Sequence, residues 1–436
     1  MKTPQQKRTM TSSHIHGFKL LPTTLAVCAA IATQQATGGT ESPSVDSALP
    51  IKESSGSVSD SIHLFGTARL RYDYADFGAP GLDTANLGSL RTRFGIKTDS
   101  FHGLSFLAEA EHTWVLTDSG HYRPFPGFPP ANHAVIADPD NFQLNRLQVS
   151  YQWDAISTII TVGRQAITLD DQRFIGAVGW RQNDQTYDAV RIENKSIKDL
   201  TINYVYIDQV NRIFGTNAPA TALEKWDSDS HLINIAYSGI ANHTLRAFAY
   251  LLEFDNSPAN SSDTFGLELQ GTRELSSSNN LNYLITIATQ SDAGDNPTDY
   301  SEQYFRAQLG VTSDCCHYGA GAEIITSDGK GGRFRFPLGT NHKFNGFADA
   351  FLTPPAGGLR DYYAWIGTEA LGFKHTLTYH HYQTENNSTN LGWELDYVAK
   401  RKLFENSNFI LKVAHLDGEG TQMDVTRASA EINYSF

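Results

Sequence analysis

The twelve residues from Val425 to Phe436, VTRASAEINYSF, alternate between two kinds of side chain. One parity carries Ala428, Ala430, Ile432, Tyr434 and Phe436, and the other carries Arg427, Ser429, Glu431, Asn433 and Ser435. A period of two predicts a β-strand with one apolar and one polar face. An edge strand of a soluble β-sandwich has the same alternation, although a sandwich does not require a terminal aromatic residue.

The same alternation recurs from Ile62 onward in segments of about ten residues, separated by Gly, Asn, Asp, Ser and Pro. We count eighteen such segments, an even number as antiparallel closure needs, and assign 345–352 to a loop. Tight turns at 100–103, 154–155 and 313–316 alternate with long connections at 116–141, 166–185, 209–229 and 327–359. The pattern predicts an all-β, antiparallel transmembrane β-barrel over residues 62–436, with long extracellular loops folding over the pore. A terminal strand ending on Phe436 resembles the closing strand of bacterial outer-membrane barrels, which the assembly machinery reads.

The first 61 residues predict export. Lys2, Lys7, Arg8 and Lys19 precede the apolar run 20–32, which is too short to cross a bilayer as a helix and ends in the small-residue sequence AIA. We predict a signal peptide at 1–32, with an uncleaved anchor as the alternative. Residues 33–61 are rich in Ser, Gly, Thr and Pro and predict a disordered periplasmic leader. The expected location is the outer membrane of a Gram-negative bacterium.

Composition and motifs argue against several function classes. The formal net charge of −13 does not favour nucleic-acid binding. The sequence contains no G-x-S-x-G, H-E-x-x-H, phosphate-loop or dinucleotide motif and no zinc-type Cys/His spacing, so we predict no enzyme, metal or cofactor. A barrel esterase is the enzymatic alternative. The adjacent Cys315 and Cys316 cannot staple the fold, and either a vicinal disulfide or two thiols fits them.

The inward-facing parity of the predicted strands is rich in arginine. An Arg or Lys facing lipid at mid-membrane would cost about 2–4 kcal/mol, so these side chains should face the lumen. Guanidinium groups bind carboxylates through two parallel hydrogen bonds, which favours a path for an anionic, carboxylated solute. The alternative is that Arg and Glu pair across strands and only fill the lumen. The predicted pore-lining residues are Arg69, Arg71, Arg91, Arg93, Lys97, Arg146, Arg191, Arg246, Arg306, Lys412 and Arg427, beside the acids Asp73, Glu109, Glu111, Glu193, Glu394, Asp396 and Glu431.

The basic residues of the first two predicted strands are the strongest candidates for the solute path. Four arginines and Lys97 face few acids among the predicted neighbours, so the sequence predicts a surplus of positive charge at this wall.

The segment 163–188, GRQAITLDDQRFIGAVGWRQNDQTYD, resembles a hallmark of the alginate-export family of outer-membrane porins. The segment 341–361, NHKFNGFADAFLTPPAGGLRD, is similar to a loop found in many members of that family. The resemblance implies an eighteen-stranded monomeric barrel with an arginine-rich, anion-selective pore narrowed by loops. In members that secrete alginate, the solute is a linear polyuronate.

The motif positions carried over from this resemblance are Arg164, Arg173, Trp180, Arg181 and Gln182. Arg173 and Arg181 could guard the mouth of the pore, or could tie the loop to the wall. Arg164 shares a face with Ile160 and Val162, so it needs a strand end or a bulge to reach the lumen. The sequence shows no aromatic slide for sugars.

The sequence therefore predicts a passive outer-membrane channel for an anionic solute, either a uronate oligosaccharide or a uronate polysaccharide. The alternatives are a general anion-selective porin and a structural or adhesive barrel with a salt-bridged lumen. The expected partners are an anionic saccharide or another small anion, outer-membrane lipid and lipopolysaccharide, and the barrel-assembly machinery through Phe436. We expect a monomer.

Overall fold

The computed structural model describes residues 61–436, so the predicted signal peptide and nearly all of the predicted leader lie outside the described residues. These residues form one closed, antiparallel sheet in which β1 pairs with both β2 and β18. The strands are β1 (Ile62–Phe77), β2 (Ala85–Thr98), β3 (Leu104–Val115), β4 (Asn141–Trp153), β5 (Thr158–Gln165), β6 (Thr186–Asn194), β7 (Leu200–Asn211), β8 (Lys225–Tyr237), β9 (His243–Leu252), β10 (Ser262–Ser276), β11 (Asn279–Asp292), β12 (Ser301–Ser313), β13 (Cys316–Ile325), β14 (Leu359–Ala370), β15 (Phe373–Gln383), β16 (Asn390–Phe404), β17 (Ser407–Gly418) and β18 (Val425–Ser435).

The prediction of eighteen strands is confirmed. Residues 345–352 contain no strand and belong to the connection between β13 and β14, as expected. Helical structure between residues 62 and 436 is limited to one α-helical turn at Thr221–Glu224 and four 3₁₀ turns at Ser119–His121, Asp154–Ile156, Pro258–Asn260 and Asn341–Lys343. In this part of the chain, no helix is long and apolar enough to cross a membrane.

Connections at the two ends of the barrel differ in length. The turns that follow even-numbered strands are short, whereas three connections after odd-numbered strands are long: loop A (116–140), loop B (166–185) and loop C (326–358). Outer-membrane barrels keep their short turns on the periplasmic side, so the long loops are assigned to the extracellular end. Cys315 lies in the short turn between β12 and β13, Cys316 is the first residue of β13, and both are free cysteines.

The two faces of the barrel wall have opposite polarity. Leu70, Phe94 and Ile366 project outward and are exposed, while Arg69 and Arg91 project inward and are buried. An apolar exterior around a polar interior is the reverse of a soluble protein. Lipid solvates such an exterior, and the closed hydrogen-bonded sheet leaves no backbone edge unpaired in the membrane.

The barrel closes where the final residue meets β1. The backbone of Phe436 exchanges two hydrogen bonds with Gly66, with N–O distances of 3.0 and 3.1 Å. Its ring lies over Gly66, because a Cβ built there would stand 2.3 Å from Phe436 Cζ. A glycine at position 66 therefore makes room for the terminal aromatic ring at the seam.

Substituting Gly66→Ala should weaken the seam, because the new methyl group forces the Phe436 ring aside. We expect the free energy of unfolding to fall by about 1–3 kcal/mol, the usual cost of overpacking. Gly88→Ala on β2 is the matched control, since its added Cβ would meet nothing closer than 3.3 Å. Unfolding in urea, followed by heat-modifiable gel mobility, measures both variants. Equal stability of the two variants would contradict this account of the seam.

Candidate functional site

The lumen is narrowed by loops that fold inward and bind the wall. Loop B follows β5, and its first half reaches the wall formed by β9–β13. Asp170 forms an ion pair with Arg246 at 2.8 Å, Asp171 pairs with Arg306, and Arg173 Nε donates to Glu323 at 2.6 Å. Phe174 packs among aromatic rings of the wall and of loop C, including Phe248 and Phe336. The loop is therefore anchored by both charge pairs and an apolar core.

The second half of loop B reaches the arginines of β1 and β2. Arg69 Nη1 donates to the carbonyl oxygens of residues 179, 180 and 181 at 3.0, 3.0 and 3.1 Å. Arg71 donates to the carbonyl of Trp180, and Arg91 Nη1 to that of Arg181 at 3.3 Å. Loop B thus spans the lumen, and its backbone acceptors meet the basic wall.

Carboxylates from the loops complete this contact. Asp138 of loop A accepts from Arg71 Nη2 at 2.6 Å and from the backbone N–H of Gln182 at 2.6 Å. Asp184 of loop B forms an ion pair with Arg93, with Oδ1 and Nη2 2.5 Å apart. The expectation that the first two strands face few acids is wrong, because acids distant in sequence approach from the loops.

Loop C binds the opposite wall, which is acidic, through hydrogen-bond donors. Asn345 donates through Nδ2 to Glu323 and Asp361 at 2.9 and 3.1 Å. The backbone N–H of residue 347 donates to Asp396 at 3.0 Å, and that of residue 348 donates to Glu394 at 2.7 Å. Gly346 lies so close that a Cβ would stand 2.4 Å from the Glu394 carboxylate, and its φ of +85° also favours glycine.

The two loops meet at a stacked pair of rings. Trp180 of loop B lies over His342 of loop C, with centroids 3.5 Å apart and planes 14° apart. His342 Nδ1 donates to Asp349 at 2.6 Å, and Lys412 Nζ on β17 donates to His342 Nε2 at 3.2 Å. A cavity of ≈ 20 Å³ beside them is bordered by Trp180, His342, Lys412 and Arg427. This volume is about that of one water molecule.

The other predicted pore residues all lie on the inner wall, and most are ion-paired. Arg246 also pairs with Glu268 at 2.6 Å. Between residues 61 and 436, Lys97 has no carboxylate within ion-pair distance. The remaining pairs are Arg146–Glu109 at 2.9 Å, Arg191–Glu193 at 3.1 Å, and Asp349 with Arg181 at 3.5 Å and Arg427 at 3.3 Å. Whether these residues lie along a solute path stays a prediction.

Two sequence interpretations change with the geometry. Arg173 and Arg181 are each 3% exposed and hold loop B to its neighbours. This favours the interpretation that they tie the loop to the wall over the interpretation that they guard the mouth of the pore. Arg164 does not reach the lumen or a loop. It lies on β5, on the outward face it shares with Val162, and pairs with Asp188 on β6 at 2.7 and 2.8 Å. The Asp188 carboxylate neutralises the charge of Arg164 on the outward face of the wall.

The loop residues that bind the arginines were not identified from the sequence. Asp138, Asp184 and Asp349 sit in irregular segments, where no periodicity assigns a side chain to a face. The carbonyl groups of residues 179–181 carry no side-chain signal at all. Only the resemblance of segments 163–188 and 341–361 to family motifs marks these loops in advance.

The junction of loops B and C should respond to pH through His342. Burial lowers the pKa of His342 to about 3 against its ordinary 6.5, although Asp349 acts in the opposite direction. If loop C were released from loop B, His342 would regain its ordinary pKa. The state in which the two loops are joined therefore loses stability relative to the released state as pH falls from 6.5 towards 3, by about 1.4 kcal/mol per pH unit. The facing charges of Lys412 and Arg181 add to the cost of protonation, and Asp349, whose pKa is lowered, stays ionised.

We therefore expect channel conductance in planar bilayers to be higher at pH 5 than at pH 7.5. His342→Gln should abolish most of this difference, because glutamine does not titrate. His381→Gln, on the outward parity of β15, is the control and should keep it. An identical pH response in wild type and His342→Gln would contradict the role of the junction.

Comparisons with known proteins agree with this architecture. The family model described as "Alginate export" matches residues 127–313. Among solved structures, the barrel is similar to Acinetobacter baumannii OccAB2, with a TM-score of 0.69, 14% identity, and coverage of 87% of this chain and 99% of that one. It is also similar to Pseudomonas aeruginosa OpdK solved with vanillate, with a TM-score of 0.68, 11% identity, and coverage of 87% and 100%. A search of curated proteins found no match.

The solved neighbours are outer-membrane porins with the same closed barrel. Together with the family match, they support an outer-membrane channel for small solutes in a Gram-negative bacterium. Over residues 127–313 the chain is similar to the alginate-export family, and its barrel has the fold of the solved outer-membrane porins.

Proposed function

We propose that this channel passively carries an anionic, carboxylated solute of the uronate class, as an oligosaccharide or polysaccharide. The observation that carries the proposal is the concentration of cationic side chains where loop B crosses the lumen. The family's description as alginate export supports the solute class. The proposal assigns transport to the barrel and no chemical reaction.

The crossing point is rich in positive charge even after pairing is counted. The carboxylates nearest to it are Asp73, Glu111, Asp138, Asp184, Asp349 and Glu431. Seven cationic side chains face these six: Arg69, Arg71, Arg91, Arg93, Arg181, Lys412 and Arg427. In a lumen of low effective dielectric, even one surplus charge acts strongly on an approaching anion.

A solute could replace loop B as the hydrogen-bond acceptor of the arginines. Arg69 and Arg91 donate largely to peptide carbonyl oxygens, and Arg91 Nε is buried without a hydrogen-bond partner among the described residues. A carboxylate accepts more strongly from a guanidinium than a neutral carbonyl does. A uronate could therefore exchange with the carbonyls of residues 179–181 and pass along the arginines. Conduction needs such binding at several exchangeable sites.

A second candidate is a barrel that stays closed by its own salt bridges. Loops B and C together bind both walls, and the cavity at their junction is only ≈ 20 Å³. This arrangement would suit a structural or adhesive barrel, or a general anion porin whose loops open without saccharide. Current block by uronates distinguishes a uronate channel from a general anion porin. Measurable conductance distinguishes both of these channels from a closed barrel.

The proposal extends to the partners expected from the sequence. Phe436, which remains 59% exposed beside Gly66, would present its ring to the barrel-assembly machinery. The apolar exterior would contact outer-membrane lipid and lipopolysaccharide. The closed hydrogen-bonded wall needs no second copy, which is consistent with a monomer.

The first test is ion selectivity of the purified full-length barrel in a planar bilayer with a salt gradient. We expect a reversal potential that reports anion selectivity at pH 7.5, because cationic groups exceed carboxylates where loop B meets β1 and β2. Oligouronates added to one chamber should block the current, whereas neutral oligosaccharides of equal length should block more weakly. A cation-selective pore, or no conductance at any voltage or pH, would overturn the proposal.

The second test separates selectivity from loop fastening. Replacing Arg69, Arg71, Arg91 and Arg93 with Gln should lower the anion-to-cation permeability ratio by about tenfold or more, because it removes the focused field. Asp138→Asn is the matched variant, since it also loosens the Arg71 contact but removes a negative charge, and should raise the ratio. Heat-modifiable gel mobility checks that both variants fold. If the quadruple Arg→Gln variant and Asp138→Asn both raise conductance but leave ion selectivity unchanged, the arginines only fasten loop B.

A further inference from the structure

Three neighbouring strands carry glycines at inward-facing positions. Gly310 on β12 pairs with Gly319 on β13, which in turn pairs with Trp365 on β14. Gly321 on β13 pairs with Tyr363 on β14. At these glycine positions the wall of the lumen therefore presents only backbone to the two aromatic residues.

The aromatic rings lie flat over this bare wall. A Cβ at Gly319 would stand 2.4 Å from Trp365 Cζ2, and one at Gly310 would stand 2.9 Å from the same atom. A Cβ at Gly321 would stand 2.6 Å from Tyr363 Cζ. Each ring thus lies against strand backbone at a glycine.

The two rings form one surface. Their centroids are 6.1 Å apart and their planes differ by 29°, so the rings run side by side along β14. Trp365 is only partly buried, and its indole N–H donates to no acceptor among the described residues. A flat ring with an unused donor at its edge offers a solute both an apolar face and a hydrogen bond.

The position of this surface places it beyond the constriction. Asp361, near the extracellular end of β14, contacts Asn345 of loop C. Trp365 lies four residues further along the same strand, about 13 Å nearer the periplasmic end at the usual rise of about 3.3 Å per residue. A solute would therefore meet the rings on the periplasmic side of the loops.

We propose that Trp365 and Tyr363 form a stacking subsite for the pyranose ring of the transported saccharide. This inference rests on the proposed function and adds a ring-recognition element to its charge selectivity. One face of a pyranose carries C–H groups, which pack against the electron-rich face of an indole or phenol, while its hydroxyls can accept from the Trp365 N–H. Tyr363 also neighbours Arg306, whose guanidinium pairs with Asp171 of loop B and holds the wall beside the ring.

The test compares solute block in single-channel recordings of the full-length barrel, with solute added on the periplasmic side. The variants are Trp365→Leu, which removes the ring, and Trp365→Phe, which keeps a smaller one. Tyr362→Leu, on the outward face of the same strand, is the control for general effects on β14. The probes are a trigalacturonate, a neutral trisaccharide and citrate, an acyclic polyanion without a ring.

We expect Trp365→Leu to raise the dissociation constant for block by trigalacturonate about tenfold, within the range of one lost stacking contact, and Trp365→Phe to raise it less. Block by the neutral trisaccharide should weaken by a similar factor, since stacking does not depend on charge. Block by citrate and the reversal potential should stay unchanged in all variants, as should every property of Tyr362→Leu.

Equal trigalacturonate block in wild type and Trp365→Leu would overturn the subsite while leaving anion selectivity intact. Equal weakening of citrate block would also overturn it, because the effect would then be electrostatic or structural. If wild type is anion-selective but no saccharide blocks it, the subsite is wrong and a general anion porin remains. A wild-type pore without anion selectivity instead contradicts the proposed function.

Discussion

The interior of this barrel depends on the requirement that buried charges and buried backbone groups find partners. The wall carries arginines on β1 and β2 and carboxylates on β13, β14 and β16, and neither set is fully paired within the wall. Loops B and C enter the lumen with their own unpaired peptide groups. Loop B turns carbonyl oxygens to the arginines, and loop C turns N–H groups to the carboxylates. The charged side chains of the wall and the peptide groups of the loops therefore supply each other's hydrogen-bond partners. This matters because an unpaired buried polar group would be costly in free energy.

This reciprocity explains why the loops keep a defined path without helices or long strands of their own. Charge pairs fix loop B at Arg173 and Arg181, and Phe174 packs into an aromatic cluster next to Arg173. Removing one partner leaves the other charge buried, which costs more than the pair itself contributes. The same reasoning makes the constriction sensitive to any solute that offers a better acceptor than a peptide carbonyl.

The sequence predicted the barrel well because strand periodicity is a local property. Alternating residues located the eighteen strands, and the cost of charge in lipid turned Arg69, Arg91 and Arg246 inward. Contacts such as Asp138 with Arg71 join residues 67 positions apart through an irregular loop, and no period encodes them. Arg164 shows the limit of the parity argument, because Asp188 on the next strand makes its outward position tolerable. The flat rings of β14 escaped notice because glycines on other strands create their space.

The pairing of β18 with β1 also has a consequence for how the chain reaches its folded state. Residues 62–77 and 425–435 lie at opposite ends of the described chain, yet they share one hydrogen-bonded ladder. Until that ladder forms, every partly built sheet has two open edges able to pair with other chains. Contacts of such long sequence separation form slowly. The ring can therefore close only if both edges stay free of other chains until β18 is available to β1.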